Sequence, residues 1–493
     1  MRGARWITLL CLSGCGEEEA PVMPTPPPTF AFADVTEAWG LDFTHDAGLT
    51  PEKHLPETMG AGAALADFDS DGDLDLYFVQ GGELPVSGVA DDGNMNRLYR
   101  NQGGGKFVDA TYGAGAAAHT GYGMGVAIGD CDGNGHLDMY LSCLGEDALL
   151  FGNGTAWFRD GPAASGVRDE RWTAGCVFFD ADSDGDLDLY VTAYLDVDLE
   201  SPTWCGDRKE GWRSYCHPDH YAGLPDRFWR NEGDGTFVDA TAEAGFDDIA
   251  GKGLGAIPAD LDGDGDLDLY VANDSTENRL WVNEGDGRFS DGTLLSGTGV
   301  NARGLTEAGM GLASGDFDLD GDLDLYVTNF DDESNTLYRN EGGLIFTDVT
   351  ARWGLDAPTR MPVGFGTMAF DADSDGDLDL AVTNGHIIDN IELYHDGKTH
   401  AQHALLLENT GSVFRSVPAG DFRSVDAGDF GRTPRVGRCL LAGDLDSDGD
   451  LDLIETACGG AAKIYRNDSA RGGIAAPTVG TQPSYLGSMS ARE

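Results

Sequence analysis

The chain has 493 residues, with 31 basic against 86 acidic side chains and a formal net charge of −55. A chain this acidic argues against nucleic acid and anionic membrane surfaces as partners and favours cations. Its 72 glycines and few long apolar periodic runs argue against a mainly helical fold and predict many short strands joined by tight turns. The length requires either several domains or one large repetitive architecture.

Residues 1–15 have the layout of a secretory signal, with Arg2 and Arg5 ahead of an apolar run that ends at Cys15. This layout resembles the lipobox of bacterial lipoproteins, which implies that Cys15 is acylated. An ordinary signal peptide with a chance cysteine is the alternative. Residues 16–29 are acidic and proline-rich and predict a tether. We therefore expect a lipoprotein of the bacterial cell envelope, held at the outer membrane or cell surface and touching the membrane only through its lipid.

Cysteines in an exported chain predict disulfides. Cys205 and Cys216 bracket one hydrophilic insertion and form the first predicted pair. Cys439 and Cys458 flank a tight loop between two predicted antiparallel strands and form the second. The pairing of three others stays open: Cys131, Cys143 and Cys176.

An aspartate-rich stretch recurs seven times, at intervals of 50 to 80 residues. The first copy reads DFDSDGDLDLY from Asp67. The other copies begin at Asp130, Asp180, Asp260, Asp316, Asp371 and Asp444. Small residues precede each copy; an alternating apolar run and a segment such as NRLYRNQGGGKFVDAT follow. Each unit thus predicts four short antiparallel strands, and such sheets in tandem predict a β-propeller.

The two ends of the repeat region complement each other. The seventh unit stops at KIYRND, residues 463–468, without a fourth strand, whereas FADVTEAWGL stands at residues 32–41 before the first loop. We infer that the N-terminal strand completes the last sheet and closes the ring, which removes an exposed edge. The predicted fold is all-β: a seven-bladed propeller of four-stranded antiparallel blades over residues 30–467, followed by a disordered tail at 468–493. A linear array of modules is the alternative.

The aspartates of each copy stand at alternate positions, so their charges must be neutralised. Two carboxylates about 4 Å apart repel by roughly 4 kcal/mol at an effective dielectric of ~20. Calcium takes six to eight oxygen ligands in flexible geometry, and a glycine permits the sharp turn. In the first copy we predict Asp67, Asp69, Asp71 and Asp75 as side-chain ligands, with Asp73 offering its backbone carbonyl. An acidic, solvated turn is the alternative.

The same positions in every copy predict about seven calcium sites. The predicted ligands of the first four copies are Asp67, Asp69, Asp71, Asp73, Asp75, Asp130, Asp132, Asn134, His136, Asp138, Asp180, Asp182, Asp184, Asp186, Asp188, Asp260, Asp262, Asp264, Asp266 and Asp268. Those of the last three are Asp316, Asp318, Asp320, Asp322, Asp324, Asp371, Asp373, Asp375, Asp377, Asp379, Asp444, Asp446, Asp448, Asp450 and Asp452. The second copy replaces two acids by Asn134 and His136 and should bind most weakly. An EF-hand is excluded, since strands flank each loop and its glutamate occurs only as Glu455.

The units resemble the FG-GAP or VCBS repeats of the integrin alpha-subunit propeller. The chain is also similar to secreted propellers related to cartilage acidic protein. Two further segments carry this resemblance: YCHPDHYAGLPDRFWRNEGDGTFVDAT from Tyr215 and TNGHIIDNIELYHD from Thr383. This resemblance implies a calcium-loaded extracellular propeller used for interaction or adhesion. It names no ligand.

Two functions remain open at this point. The first is a monomeric module that binds a surface protein or polysaccharide, with the insertion at residues 196–224 as the best contact surface; a blade cover without a ligand is the alternative. The second is a calcium-dependent polysaccharide lyase, for which His217, His220, Tyr221 and His386 are the available side chains. We favour a non-enzymatic protein, because the chain has no G-x-S-x-G, H-E-x-x-H or Walker-type motif.

Overall fold

The computed structural model describes residues 30–84, 95–117, 121–161, 165–246, 249–411 and 421–469. The predicted leader with Cys15, the tether and residues 470–493 of the predicted tail lie outside these ranges. Asp468 and Ser469, which we assigned to the tail, bond to Ala31: the Asp468 N–H donates to the Ala31 carbonyl at 2.7 Å, and the Ala31 N–H donates to Ser469 Oγ at 3.1 Å. No helix within the described ranges has the length and apolarity needed to cross a membrane.

Seven four-stranded antiparallel sheets form the blades of a propeller, as predicted. Strand β1 is Phe32–Asp34. Blades 1 and 2 consist of β2 (Ala63–Ala66), β3 (Asp75–Phe78), β4 (Arg97–Asn101), β5 (Phe107–Asp109), β6 (Tyr122–Gly129), β7 (Asp138–Leu144), β8 (Ala148–Gly152) and β9 (Phe158–Asp160). Blade 3 consists of β10 (Thr173–Phe179), β11 (Asp188–Ala193), β14 (Arg227–Asn231) and β15 (Phe237–Asp239), and a separate ribbon of β12 (Cys205–Gly206) and β13 (Arg213–Ser214) interrupts it.

The remaining blades repeat the same order. Blades 4 and 5 consist of β16 (Gly253–Ala259), β17 (Asp268–Asn273), β18 (Arg279–Asn283), β19 (Phe289–Asp291), β20 (Leu312–Gly315), β21 (Asp324–Val327), β22 (Thr336–Asn340) and β23 (Phe346–Asp348). Blades 6 and 7 consist of β24 (Gly364–Phe370), β25 (Asp379–Asn384), β26 (Leu405–Asn409), β27 (Phe422–Val425), β28 (Gly437–Gly443), β29 (Asp452–Ala457), β30 (Gly460–Asn467) and β1. The described helices are single turns: Leu55–Thr58, Thr111–Ala114, Pro218–His220, Thr293–Ser296, Asp356–Thr359 and Ile391–Leu393.

The N-terminal strand lies where the sequence predicts it. Strand β1 pairs antiparallel with β30, so that Phe32 faces Asn467 and Asp34 faces Tyr465. Blade 7 in turn contacts blade 1, because Asn101 of β4 donates from Nδ2 to the carbonyl of Leu445 at 2.8 Å. The N-terminal strand is therefore the fourth strand of blade 7, and a side-chain hydrogen bond links blade 7 to blade 1.

This asparagine link recurs around the ring. At the end of the third strand of blades 3 to 7, an asparagine Nδ2 donates at 2.7–3.1 Å to a carbonyl of the preceding blade. The donor and acceptor residues are Asn231 and Cys131, Asn283 and Ala181, Asn340 and Leu261, Asn409 and Phe317, and Asn467 and Ala372. Blade 2 has Gly152 at this position, and its Ala156 N–H donates to the Phe68 carbonyl at 2.9 Å instead. A hydrogen bond thus spans all seven blade junctions.

The small residues of the first strands allow these strands to approach one another. A side chain at Gly125 of β6 would place its Cβ 2.7 Å from the carbonyl oxygen of Ala174 in β10. At Gly366 of β24 the Cβ would lie 2.6 Å from the amide nitrogen of Leu440 in β28. Contacts this short to backbone atoms are sterically forbidden, which explains the glycine-rich first strands and places them nearest the axis.

The insertion at residues 196–224 reaches from blade 3 across to two other blades. The disulfide between Cys205 and Cys216 staples it, as predicted. The Tyr215 hydroxyl donates to Glu57 Oε2 of blade 1 at 2.8 Å, and Asn390 Nδ2 of blade 6 donates to the Arg213 carbonyl at 3.0 Å. One side of the insertion is therefore buried against the ring, and only its other side can meet a partner.

The second predicted disulfide is wrong. Among the described residues Cys439 and Cys458 form no disulfide, and neither do Cys131, Cys143 and Cys176. An irregularity in the pairing of β28 with β29 offsets the two residues: the Cys439 N–H donates to Thr456 Oγ1 at 3.1 Å, whereas the Cys458 N–H donates to the Val436 carbonyl at 2.8 Å. Because the two cysteines do not face each other across the strands, they are not placed to form a cross-strand disulfide.

Desolvation and the charge of the buried Arg438 hold two histidines neutral: His45, which is buried, and His400, which is half-buried. Burial and then the charge of Arg438 lower the pKa of His45 to about 3 and the pKa of His400 to about 4. An unfolded histidine has a pKa of about 6.5. Below that pH the unfolded chain binds more protons than the folded one, so these residues make stability fall as the pH falls from 6.5 towards 4.

We expect His45→Gln to weaken this pH dependence. Each buried neutral histidine contributes a slope of up to about 1.4 kcal/mol per pH unit between its folded and unfolded pKa values. The free energy of unfolding of wild type and variant should be measured by denaturant titration from pH 7 to pH 4.5 at saturating calcium. The exposed His403, changed to Gln, is the matched control and should leave the slope unchanged. An equal slope in wild type and His45→Gln would contradict the burial of a neutral imidazole.

Candidate metal centres

Each aspartate-rich stretch forms the loop between the first and second strands of its blade. We number the loops 1 to 7, as residues 67–75, 130–138, 180–188, 260–268, 316–324, 371–379 and 444–452. In each loop the first aspartate accepts the N–H of the sixth residue, a glycine, at 2.8–3.1 Å. That glycine has a positive φ, such as 101° at Gly321, which favours glycine over other residues. These bonds curl the loop around its first carboxylate.

The curled loop brings predicted ligands together. In loop 5 the carboxylate oxygens of Asp316, Asp318 and Asp320 lie within 4.8 Å of one another, and the same three positions converge in loops 1, 3 and 4. In loop 2 the converging residues are Asp130, Asp132 and Asp138. The seventh residue of every loop donates its N–H to the fifth side chain at 2.8–3.2 Å.

In three loops the aspartate at the third loop position carries an unpartnered oxygen. Asp69 Oδ1, Asp318 Oδ1 and Asp446 Oδ1 are buried without a hydrogen-bond partner. A buried carboxylate oxygen without a donor is costly, and several in one loop repel one another. A hard cation that accepts oxygen ligands in flexible geometry fits these positions, and calcium is such a cation.

The aspartate at the ninth position ties each loop to its own blade. In loop 5 the buried Asp324 accepts the Phe317 N–H through Oδ2 at 3.1 Å and the Asn340 N–H through Oδ1 at 2.8 Å. The equivalent residues do the same in the other loops: Asp75, Asp138, Asp188, Asp268, Asp379 and Asp452. Burial raises the pKa of Asp324 to about 8, opposed by these two hydrogen bonds. The aspartate at the ninth position, predicted only as a ligand, is thus also a structural acceptor.

Comparison with known proteins agrees with this geometry. A family model described as FG-GAP-like repeat matches residues 67–141, 219–271, 260–327 and 316–382. The matched stretches are FG-GAP-like repeats and lie in blades 1 to 6 of the propeller. This confirms the resemblance predicted from the aspartate spacing.

Cartilage acidic protein 1 is similar over most of the propeller. The Homo sapiens protein is 26% identical over 366 residues, which cover 69% of this chain and 50% of that protein. The Mus musculus protein is 27% identical over 367 residues, covering 69% and 51%. The chain spans about half the length of the curated relatives it matches.

Two solved structures align more loosely. An Agrocybe aegerita lectin, described for its recognition of non-reducing terminal N-acetylglucosamine, covers 82% of this chain and 87% of its own at 17% identity, with a TM-score of 0.40. BBS1N in complex with ARL6DN covers 89% and 97% at 10% identity, with a TM-score of 0.45. Likeness at this level says nothing about the ligands of the FG-GAP propeller.

Arginines of the third and fourth strands reach some of the FG-GAP loops, which the sequence pattern did not reveal. Arg339 of β22 contacts Asp318 Oδ2 through Nε at 2.5 Å and Asp320 Oδ2 through Nη2 at 2.6 Å. In loop 1 Arg100 contacts Asp69, and in loop 2 Arg159 Nη2 lies 3.8 Å from Asp132 Oδ2. These guanidinium groups partly neutralise carboxylates that we predict as calcium ligands, so arginine would compete with calcium for them.

We therefore expect Arg339→Gln to increase the stability gained from calcium. The change removes a competing charge, so the carboxylates of loop 5 repel one another more strongly when calcium is absent. The effect should be about 1 kcal/mol, because Arg339 and Asp320 are partly exposed. The measurement is the free energy of unfolding with calcium minus that with chelator. Arg230→Gln is the matched control, since Arg230 holds the same position in blade 3 but pairs with Glu232 and Glu243. An equal gain in both variants would contradict the competition.

The side chains considered for a lyase lie apart from these loops. His386 is buried, its Nε2 lies 3.2 Å from Asp331 Oδ2, and its Nδ1 accepts the Ile388 N–H at 2.9 Å. His217 and His386 both pack edge-on against the ring of Phe330. The ring centroids lie 5.6 Å apart for His217 and 5.2 Å apart for His386. His220 is exposed and Tyr221 half-buried within the insertion. The structure therefore brings His217 and His386 together around Phe330 and engages His386 with an aspartate.

Proposed function

We propose that this protein is a calcium-stabilised propeller that serves as an interaction or adhesion module on the outer side of a cell. The observation that carries the proposal is the repeated convergence of carboxylates in the loops, some of them with buried, unpartnered oxygens, on a ring whose blades are joined by hydrogen bonds. Calcium would fix the loops, and fixed loops would hold the blade surfaces rigid for a partner.

The proposed location follows from the predicted leader and from the relatives. Acylation at Cys15 would anchor the chain in a bacterial envelope, residues 16–29 would lift the propeller from the membrane, and the tail would extend beyond it. The name of cartilage acidic protein 1 places that relative in an extracellular tissue, which supports an extracellular or cell-surface position for this chain.

The outer side of the insertion is the proposed contact surface for a surface protein or polysaccharide. Trp204 is 40% exposed, and the guanidinium carbons of Arg208 and Arg213 lie 5.7 and 4.8 Å from its ring centroid. Lys209 stands over the neighbouring Trp212 at 3.2 Å. Aromatic rings and cations together suit a sugar chain or an acidic partner, and they are concentrated here on a strongly acidic chain.

The test is capture from envelope and surface extracts of the producing cell with the full chain as bait, once with calcium and once with EGTA. We expect partners retained only with calcium and lost with Trp204→Ala. Trp157→Ala is the matched control, because Trp157 is similarly exposed at 43% but lies in blade 2. Equal retention of partners with calcium and with EGTA would contradict the role of the loops. If nothing is retained, the binding proposal fails, and a lyase assay on acidic polysaccharides tests the alternative.

A further inference from the structure

A cavity of about 150 Å³ lies on the propeller axis. First strands of six blades contribute to its wall through Ala63, Val126, Cys176, Ala256, Thr367 and Leu440, and blade 5 contributes Met310 and Gly311 just before β20. Large apolar side chains close it at one end, among them Met59, Trp172 and Phe365. The same apolar cluster packs against Val197, Leu199 and Tyr221 of the insertion, so the insertion covers this end of the axis.

One charged side chain contributes to this apolar wall. Arg438 is 5% exposed, and its guanidinium carbon lies 3.8 Å from the centroid of the Phe365 ring. Its Nε donates to the Thr58 carbonyl at 2.8 Å, and its Nη1 donates to the carbonyls of Gly385 and Gly437 at 3.0 and 2.7 Å. Its Nη2 is buried and has no hydrogen-bond partner.

The charge of Arg438 is not balanced by an acid. Within the described ranges Arg438 forms no ion pair, and the nearby buried Glu57 is engaged elsewhere, since its Oε2 accepts the Tyr215 hydroxyl at 2.8 Å and its Oε1 accepts the His54 N–H at 3.0 Å. The low pKa values of His45 and His400 have the positive field of Arg438 as their second cause, after burial. A buried cation without a counter-charge is costly, and an unpaired guanidinium fork suits a carboxylate.

We propose that the axial cavity binds a small organic monocarboxylate, whose carboxylate pairs with Arg438 and whose apolar body occupies the space beside Met59, Trp172 and Phe365. A cavity of about 150 Å³ is large enough for one benzene ring. Benzoate therefore matches both the charge and the size of the site. This ligand is independent of the calcium loops and of the partner at the insertion.

The test is isothermal titration of the full chain with benzoate and with its neutral analogue benzamide, in chloride-free buffer with saturating calcium. We expect wild type to bind benzoate at least tenfold more tightly than benzamide. Arg438→Met should lower the affinity for benzoate to that for benzamide. Persisting benzamide binding in this variant would show that its cavity is intact. Arg432→Met is the control, because Arg432 is exposed and pairs with Asp429.

A second variant keeps the test decisive if Arg438→Met does not fold. Ala174→Leu narrows the cavity from blade 3 without touching Arg438 and should abolish binding of both compounds. Equal affinity of wild type for benzoate and benzamide would overturn the role of Arg438. Failure of wild type to bind either compound, or unchanged binding in Ala174→Leu, would overturn the site.

Discussion

Removing calcium with EGTA is expected to lower the melting temperature of the propeller by at least about 10 °C. A ligand that binds only the folded state stabilises it by about 2.7 kcal/mol per site at a hundred times its dissociation constant, so seven independent loops at that saturation sum to about 19 kcal/mol. Stability is lost because the converging carboxylates of a loop, such as Asp316, Asp318 and Asp320, are no longer neutralised and repel one another.

The melt should be recorded by calorimetry with calcium, with EGTA, and with EGTA plus excess calcium. The third sample should recover the first curve. Excess magnesium is the control and should restore less, since magnesium demands octahedral geometry and keeps its waters. If EGTA leaves the melting temperature of the full chain unchanged, calcium does not stabilise these loops and the prediction is contradicted.

Asp324→Ala is expected to destabilise the propeller by about 2–6 kcal/mol, whether calcium is present or not. The change leaves the N–H groups of Phe317 and Asn340 buried without an acceptor, and each such group costs about 1–3 kcal/mol. The damage should spread to blade 4, because Asn340 also bonds to the Leu261 carbonyl there.

Denaturant titration of Asp324→Ala should be compared with Asp322→Ala in the same loop. Asp322 holds the turn with its N–H, which alanine retains, so this variant should lose less than about 1 kcal/mol. If Asp324→Ala were destabilising only with calcium, its role would be that of a ligand alone, and the structural part of the assignment would be wrong.

Much of the fold could be predicted because it consists of units that repeat in the sequence. A fixed spacing of aspartates sets the unit, the alternation after each loop sets the strands, and the missing fourth strand after Lys463 points to Phe32–Asp34 at the other end. The asparagine link was also present as a repeat, in YRNQ, WRNE and WVNE, but spacing alone could not show that its side chain crosses to the preceding blade.

Other features depend on tertiary geometry that the sequence pattern does not carry. The pairing irregularity of β28 with β29 offsets Cys439 from Cys458, although both flank the same tight loop. In the sequence Arg438 is one residue of a predicted strand. Its guanidinium is buried without an acidic partner because the blades converge there, which the sequence pattern does not show. The insertion was predicted as a contact surface, with a blade cover as the alternative, and the sequence did not show that Tyr215 anchors one side of it to blade 1.

The most direct measurement is the number of calcium ions carried by one folded chain, determined by native mass spectrometry after exchange into calcium-containing volatile buffer. We expect about seven ions, with the ion of loop 2 lost first as calcium is lowered, because Asn134 and His136 replace two acids there. Binding of no ion, or of a single ion, would contradict the assignment of calcium to the repeated loops.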